Sequence, residues 1–168
     1  MFIRSRSLGV ALCALAFSSQ ALYAEGIGEV STAFKLLGAN HKIVLEAFDD
    51  PKVQGVSCFL SRAKKGGVSG TLGLATDPAD ASIACRQTGP VKYLDKLEAG
   101  EEVFKQRTSV LFKTMQVVRF FDPKRNTLVY LTYSDKLIDG SPKNSLSAVA
   151  IAPWGPQGEM PAAPAYKE

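Results

Sequence analysis

The stretch MQVVRFFDPKRNTLVYLTY, residues 115–133, decides the fold class. Met115 to Phe121 and Thr127 to Tyr133 are rich in β-branched and aromatic residues, which fit a pleated, half-buried surface. Asp122-Pro-Lys-Arg-Asn126 between them is turn material. Proline presets one backbone angle, and Asp and Asn bond their own backbone. Two strand-like runs around such a segment read as an antiparallel hairpin.

Working outward, the same signals recur. Lys42 to Phe48 reads as a strand, and Asp49-Asp50-Pro51 stops it because proline cannot donate to a ladder. Val56 to Arg62 returns as a strand, completing a second hairpin. Val30, Thr32, Phe34 and Leu36 alternate with smaller or polar residues. Ser82 to Thr88 is strand-like, with Gly89-Pro90 as its end, and strands resume from Glu101 and again over Ser145 to Ile151. Two places depart from this pattern. Four glycines between Gly66 and Gly73 predict a loop with one helical turn, because glycine makes regular structure costly in backbone entropy. Val91, Leu94 and Leu97 stand three apart, which predicts a short helix over Val91 to Ala99. The expected fold is mainly β, an antiparallel sandwich or open barrel with one or two short helices. No strands alternate with long helical patterns, which counts against a parallel α/β fold. Beyond Trp154 the chain is Gly, Pro and Ala with few bulky groups, and a flexible tail is expected.

The N-terminus has a different logic. Arg4 and Arg6, with no acid, precede the apolar run Leu8 to Phe17, and Ser18-Ser-Gln-Ala-Leu-Tyr-Ala24 follows. Charged, apolar and small-residue segments in that order form a secretory signal peptide. The run falls short of the ~20 apolar residues that a spanning helix needs. Cleavage is expected after Ala24, with Ala21 as the alternative because Leu22 is large for the minus-three position. Losing Arg4 and Arg6 takes the formal charge from +4 to +2, so the basic balance is partly a property of the leader and argues little for a polyanionic partner. Nucleic acid is not an expected partner.

Of three cysteines, Cys13 leaves with the leader and Cys58 and Cys85 remain. An even pair in an oxidising compartment favours a structural disulfide. A redox pair and two free buried thiols are the other readings. The Cys-x-x-Cys spacing that activates a redox thiol is absent.

Candidate chemistry is sparse. His41 is the one histidine, so a zinc site needing two imidazoles is excluded, and it reads as a solvated loop residue. Asp49-Asp50 and Asp77/Asp80 adjoin prolines and read as turn residues. Arg62, Lys64 and Lys65 lead into Gly66, Gly67 and Gly70. Glycines let successive N–H groups point at one anion while the cations add charge, so these six residues are the candidate anion site. Lys105, Arg107, Lys113, Arg119, Lys124 and Arg125 interleave with Phe104, Phe112, Phe120 and Phe121. Lys105, Arg107, Lys113 and Arg119 share one parity and Phe104, Phe112 and Phe120 take the other, and the expectation is a half-buried strand with its cations on the solvated face. No residue is assigned a catalytic role, and neither a metal nor a cofactor is expected.

The segments HKIVLEAFDDP (41–51), VSCFLSRAKKGG (56–67), FKQRTSVLFK (104–113) and VVRFFDPKRNTLVYLTYSDKLIDGSPKNS (117–145), with Pro153-Trp154, resemble the CreA family of small exported proteins of Gram-negative bacteria. The likeness spans most of residues 25–154 and includes Cys58 and Cys85, which strengthens the disulfide expectation. The family's name comes from an operon encoding a carbon-source-responsive two-component system, which implies neighbourhood and not mechanism. The resemblance carries over no activity or catalytic position. The expected organisation is a signal peptide (1–24), a β-rich domain (25–154) and a tail (155–168). The expected function is a periplasmic binding or accessory protein contacting an envelope component or a membrane sensor protein. The alternatives are a hydrolase-type enzyme with a carboxylate-based site and a thiol-redox sensor.

Overall fold

The computed structural model describes residues 24–33, 40–65, 81–107, 114–134 and 143–168. Among them the chain forms strands and no helix. The strands are β1 (Glu25–Ala33), β2 (His41–Asp49), β3 (Val53–Lys64), β4 (Ala81–Tyr93), β5 (Leu97–Glu98), β6 (Glu101–Arg107), β7 (Thr114–Asp122), β8 (Thr127–Ser134), β9 (Asn144–Ala150) and β10 (Tyr166–Lys167). β1-β2-β3-β4 make one antiparallel sheet and β6-β7-β8-β9 a second, while β5 pairs with β10 in parallel. Each main sheet is a meander, so neighbours in sequence are neighbours in space.

The hairpin at 115–133 is β7 and β8, paired from Met115↔Ser134 to Asp122↔Thr127. Asp122 Oδ1 accepts from the N–H of Lys124 (3.0 Å) and of Arg125 (3.2 Å), which closes the turn. Asn126 completes it with a φ of 45°, a left-handed value that Asn tolerates better than most residues. The second hairpin is β2 and β3, with Asp50 at its turn.

Alternate residues of the strands turn inward and form one core shared by both sheets. Phe48, Val56, Cys58, Leu60, Ile83 and Cys85 come from the first sheet, and Phe104, Met115, Val117, Phe121, Leu128, Tyr130 and Val149 from the second. Phe48 stacks on Phe104 with ring centroids 4.6 Å apart, joining β2 to β6 across the layers. On the other side β4 lies beside β9. Cys85 N donates to Ser147 Oγ (2.8 Å), and Gln87 exchanges hydrogen bonds with the Ala152 backbone (2.9 and 3.1 Å). The mainly β, antiparallel architecture is the expected one.

The strand layout departs from the sequence expectations in three places. The helix expected at Val91 to Ala99 is absent: β4 continues to Tyr93 and β5 follows at Leu97. Val91 and Leu97 are buried while Leu94 is 57% exposed, so the three-residue spacing does not mark one apolar face. Gly89-Pro90 does not end β4. Between Gln54 and Val56 the partner on β4 jumps from Lys92 to Gln87, and Pro90 sits in that irregularity, where no ladder donor is required. Gly55 makes room for it: its φ is +82°, and a Cβ there would lie 2.4 Å from the Pro90 carbonyl oxygen. At the C-terminus, residues 155–165 have no regular strand, yet Tyr166 and Lys167 return to pair with β5. The helical turn expected in the glycine loop lies outside the described residues.

Candidate functional site

Charged side chains on the inner faces of the two sheets are the unusual feature of this molecule, since ions are seldom buried unless paired. Among the described residues two clusters hold them.

The first is built on Asp50, whose side chain is fully buried, as is that of Arg119. Asp50 Oδ1 accepts from the N–H of Lys52 (2.9 Å) and of Val53 (3.1 Å), the self-bonded turn expected of Asp before proline. Arg119 Nη1 donates to both Asp50 oxygens at 2.5 and 2.7 Å, and the Tyr130 hydroxyl donates to Oδ2 at 2.8 Å. Arg119 Nη2 then reaches Glu101 at 2.5 Å. Glu101 in turn pairs with Lys52 at 2.5 Å, and Lys52 also lies 3.3 Å from Asp95. Charge thus alternates from the core to the surface. Burial, and then the neighbouring Asp50 charge, push the Tyr130 phenol far up, so it stays a proton donor. The oxygens of Asp50 are occupied by donors and shut off from solvent. What this arrangement does is lock the β2–β3 turn of one sheet to β7 and β8 of the other.

The second cluster is Glu46 on β2 with Arg62 on β3. Arg62 Nε donates to Oε2 at 2.7 Å and Nη2 to Oε1 at 3.0 Å, a bidentate pair, and Lys64 Nζ lies 3.8 Å from Oε1. Burial alone would raise the Glu46 pKa, but the hydrogen bonds and charge of Arg62 outweigh it and hold the carboxyl below its ordinary 4.5. A depressed carboxylate contributes stability that is present above its unfolded pKa and lost as pH falls through the folded one. The expected result is an acid-side decline. The stability gap between wild type and Glu46→Gln, read as urea midpoints, narrows as pH falls from roughly 5 to 3. A gap independent of pH in that window refutes the ionised pair.

The candidate anion residues divide. Arg62 is committed to Glu46, Lys64 stands at the edge of the same carboxylate, and Lys65 follows the end of β3. Gly66, Gly67 and Gly70 lie outside the described residues, as do Asp77, Asp80, Phe112 and Lys113. His41 opens β2. Asp49 accepts from Ser57 Oγ at 2.6 Å. The basic stretch is not one solvated face. Lys105 pairs with Glu102 at 2.9 Å and Arg125 with Asp122 at 2.6 Å, while Arg119 is 1% exposed and Phe120 is 38% exposed. The parity expected for Arg119 and Phe120 is therefore inverted. Arg119 takes the same inward side as Met115, Val117 and Phe121, and Asp50 supplies the counter-charge that makes this possible. That inward parity was the one available signal for the cluster. Among the described residues no group of three His, Cys, Asp or Glu side chains is placed to hold a metal.

Cys58 and Cys85 face each other on β3 and β4 and form a disulfide, with no solvent exposure at either residue.

The CreA protein family matches residues 27–154 of the chain. Protein CreA of Escherichia coli K12 is 57% identical over 136 residues, which cover 79% of this chain and 87% of that protein. Protein CreA from Escherichia coli O157:H7 matches to the same extent. No solved structure shows a significant match. The match spans both sheets, both buried charge clusters and the two bonded cysteines, and on that likeness the chain belongs to the CreA protein family.

Proposed function

We propose that this is an exported binding or accessory protein of the periplasm, released from its leader after Ala24 and contacting an envelope component or a membrane sensor protein. The carrying observation is the disulfide between Cys58 and Cys85 in the core, because such bonds persist in oxidising compartments and are rare in cytosolic proteins. The leader-like order of residues 1–24 supports the same reading. Binding is favoured over hydrolysis because the two inward carboxylates among the described residues, Asp50 and Glu46, are spent on internal cations. A carboxylate base must reach its proton at hydrogen-bond distance, and Asp50 has no access to solvent.

Fractionation with mass spectrometry and mild crosslinking tests the proposal. The expected product is periplasmic, oxidised at Cys58 and Cys85, begins at Glu25, and carries a crosslinked envelope partner. A product beginning at Leu22 keeps Ala24, which packs against the core, and leaves the location unchanged. Recovery of the unprocessed, reduced chain from the cytosol overturns the proposal, and so does a periplasmic protein that captures nothing.

A further inference from the structure

The last residues of the chain are bound to its body as a peptide is bound by a receptor. Leu97 N donates to the Ala165 carbonyl and Ala99 N to that of Lys167, both at 2.9 Å, so β5 takes β10 as an added strand. Between these bonds the Tyr166 ring packs on the core, edge-on to Phe121 with centroids 5.7 Å apart. Residues 161–165, which end on the first residue of the bound triplet Ala165-Tyr166-Lys167, and residues 91–96 line the two sides of a groove of about 440 Å³. Tyr93 lines that groove, and its hydroxyl is buried with no partner among the described residues.

Three observations separate the acceptor from its occupant. Leu97, Phe121 and Tyr93 lie inside the family match, which ends at 154, while the bound triplet lies beyond it. Recognition uses main-chain hydrogen bonds and one ring, the usual division of labour when an extended peptide augments a sheet edge. The tether between Ile151 and Tyr166 has no strand of its own and is mostly exposed, so it can let go without disturbing either sheet.

We propose that β5 and the Phe121 slot form a strand-acceptor site for an extended partner peptide that carries an aromatic residue between its two main-chain hydrogen bonds. Ala165-Tyr166-Lys167 fills this site in cis and competes with the partner. The inference does not depend on export: a cytosolic location overturns the preceding reading and leaves this one standing.

The test uses the full-length chain and a labelled peptide of residues 161–168, PAAPAYKE, followed by fluorescence anisotropy. A short flexible tether holds the tail at an effective concentration on the order of millimolar, so wild type binds the peptide weakly. Tyr166→Ala weakens the competitor and is expected to bind it about tenfold more tightly. A peptide with alanine in place of its tyrosine binds neither chain. Equal binding to wild type and variant, or no binding to a folded variant, overturns the proposal. Amide exchange on the wild type covers a variant that fails to fold. Leu97 and Ala99 exchange faster than the β7–β8 amides if the tail detaches locally, and exchange only with global unfolding if it is an integral part of the core. The second result also overturns the proposal, as does a dimer with exchanged tails, which would make a second copy the occupant.

Discussion

Replacing Asp50 by alanine lowers the stability of the fold by about 3–5 kcal/mol, the usual cost of removing one partner of a buried ion pair. Asp50 meets Arg119 in the interior, where neither side chain has meaningful exposure. Without Asp50, Arg119 keeps only the contact to the partly exposed Glu101. The Lys52 and Val53 amides lose their acceptor at the turn, and the Tyr130 hydroxyl loses its partner. These losses fall together at the point where the two sheets are tied. Asp50→Asn keeps an oxygen for the turn but removes the charge, so its loss is smaller. Substituting Arg119 by methionine in the Asp50→Asn background removes the stranded cation and recovers part of the stability. A double-mutant cycle from urea unfolding then reports a coupling of roughly 2 kcal/mol between the two positions. If Asp50→Ala falls within about 1 kcal/mol of wild type, the cluster is not what ties the layers.

How much of this was legible in advance depends on the range of the interaction. The β7–β8 hairpin could be read because everything it needs is local: alternation on each side, and Asp122, Pro123 and Asn126 between. The β2–β3 hairpin could be read for the same reason. Asp50 reads as a turn residue, since its bonds to Lys52 and Val53 span two and three positions. Its second role depends on Arg119, 69 positions away, and no local rule connects them. Local parity alone accordingly puts Arg119 on the solvated side with Lys105 and Arg107. The same blindness applies to Pro90, which a strand tolerates only because Gly55 of the neighbouring strand yields space. It applies again to the tail, whose composition predicts freedom while Tyr166 finds Phe121. Where a sequence-local preference and a distant partner disagreed, the distant partner prevailed.

The pairing of Cys58 and Cys85 leads to a further large effect. The two residues are directly opposed in the β3–β4 ladder with Cα atoms 4.0 Å apart, the close spacing of a non-hydrogen-bonded antiparallel pair. In that arrangement each N–H points away from the other strand, and Cys85 sends its own to Ser147 on β9. The bond spans 27 positions, closing off the segment between β3 and β4. Chain-entropy reasoning gives a loop of this size a contribution of roughly 3–4 kcal/mol. Changing both residues to alanine, which leaves no new polar group in the core, is expected to lower the urea unfolding free energy by about that amount. The single variants should do no better, since each strands a thiol at the same site. Burial sets the kinetics. A reductant must reach a sulfur to attack it, and neither cysteine is exposed. The folded protein is therefore expected to resist dithiothreitol over hours, and to be reduced within minutes once denaturant opens the β3–β4 pair. Thiol titration of native and denatured samples measures this directly. Rapid reduction of the native protein without loss of its near-ultraviolet signal would show that the bond is accessible, and would move the thiol-redox reading ahead of a structural one.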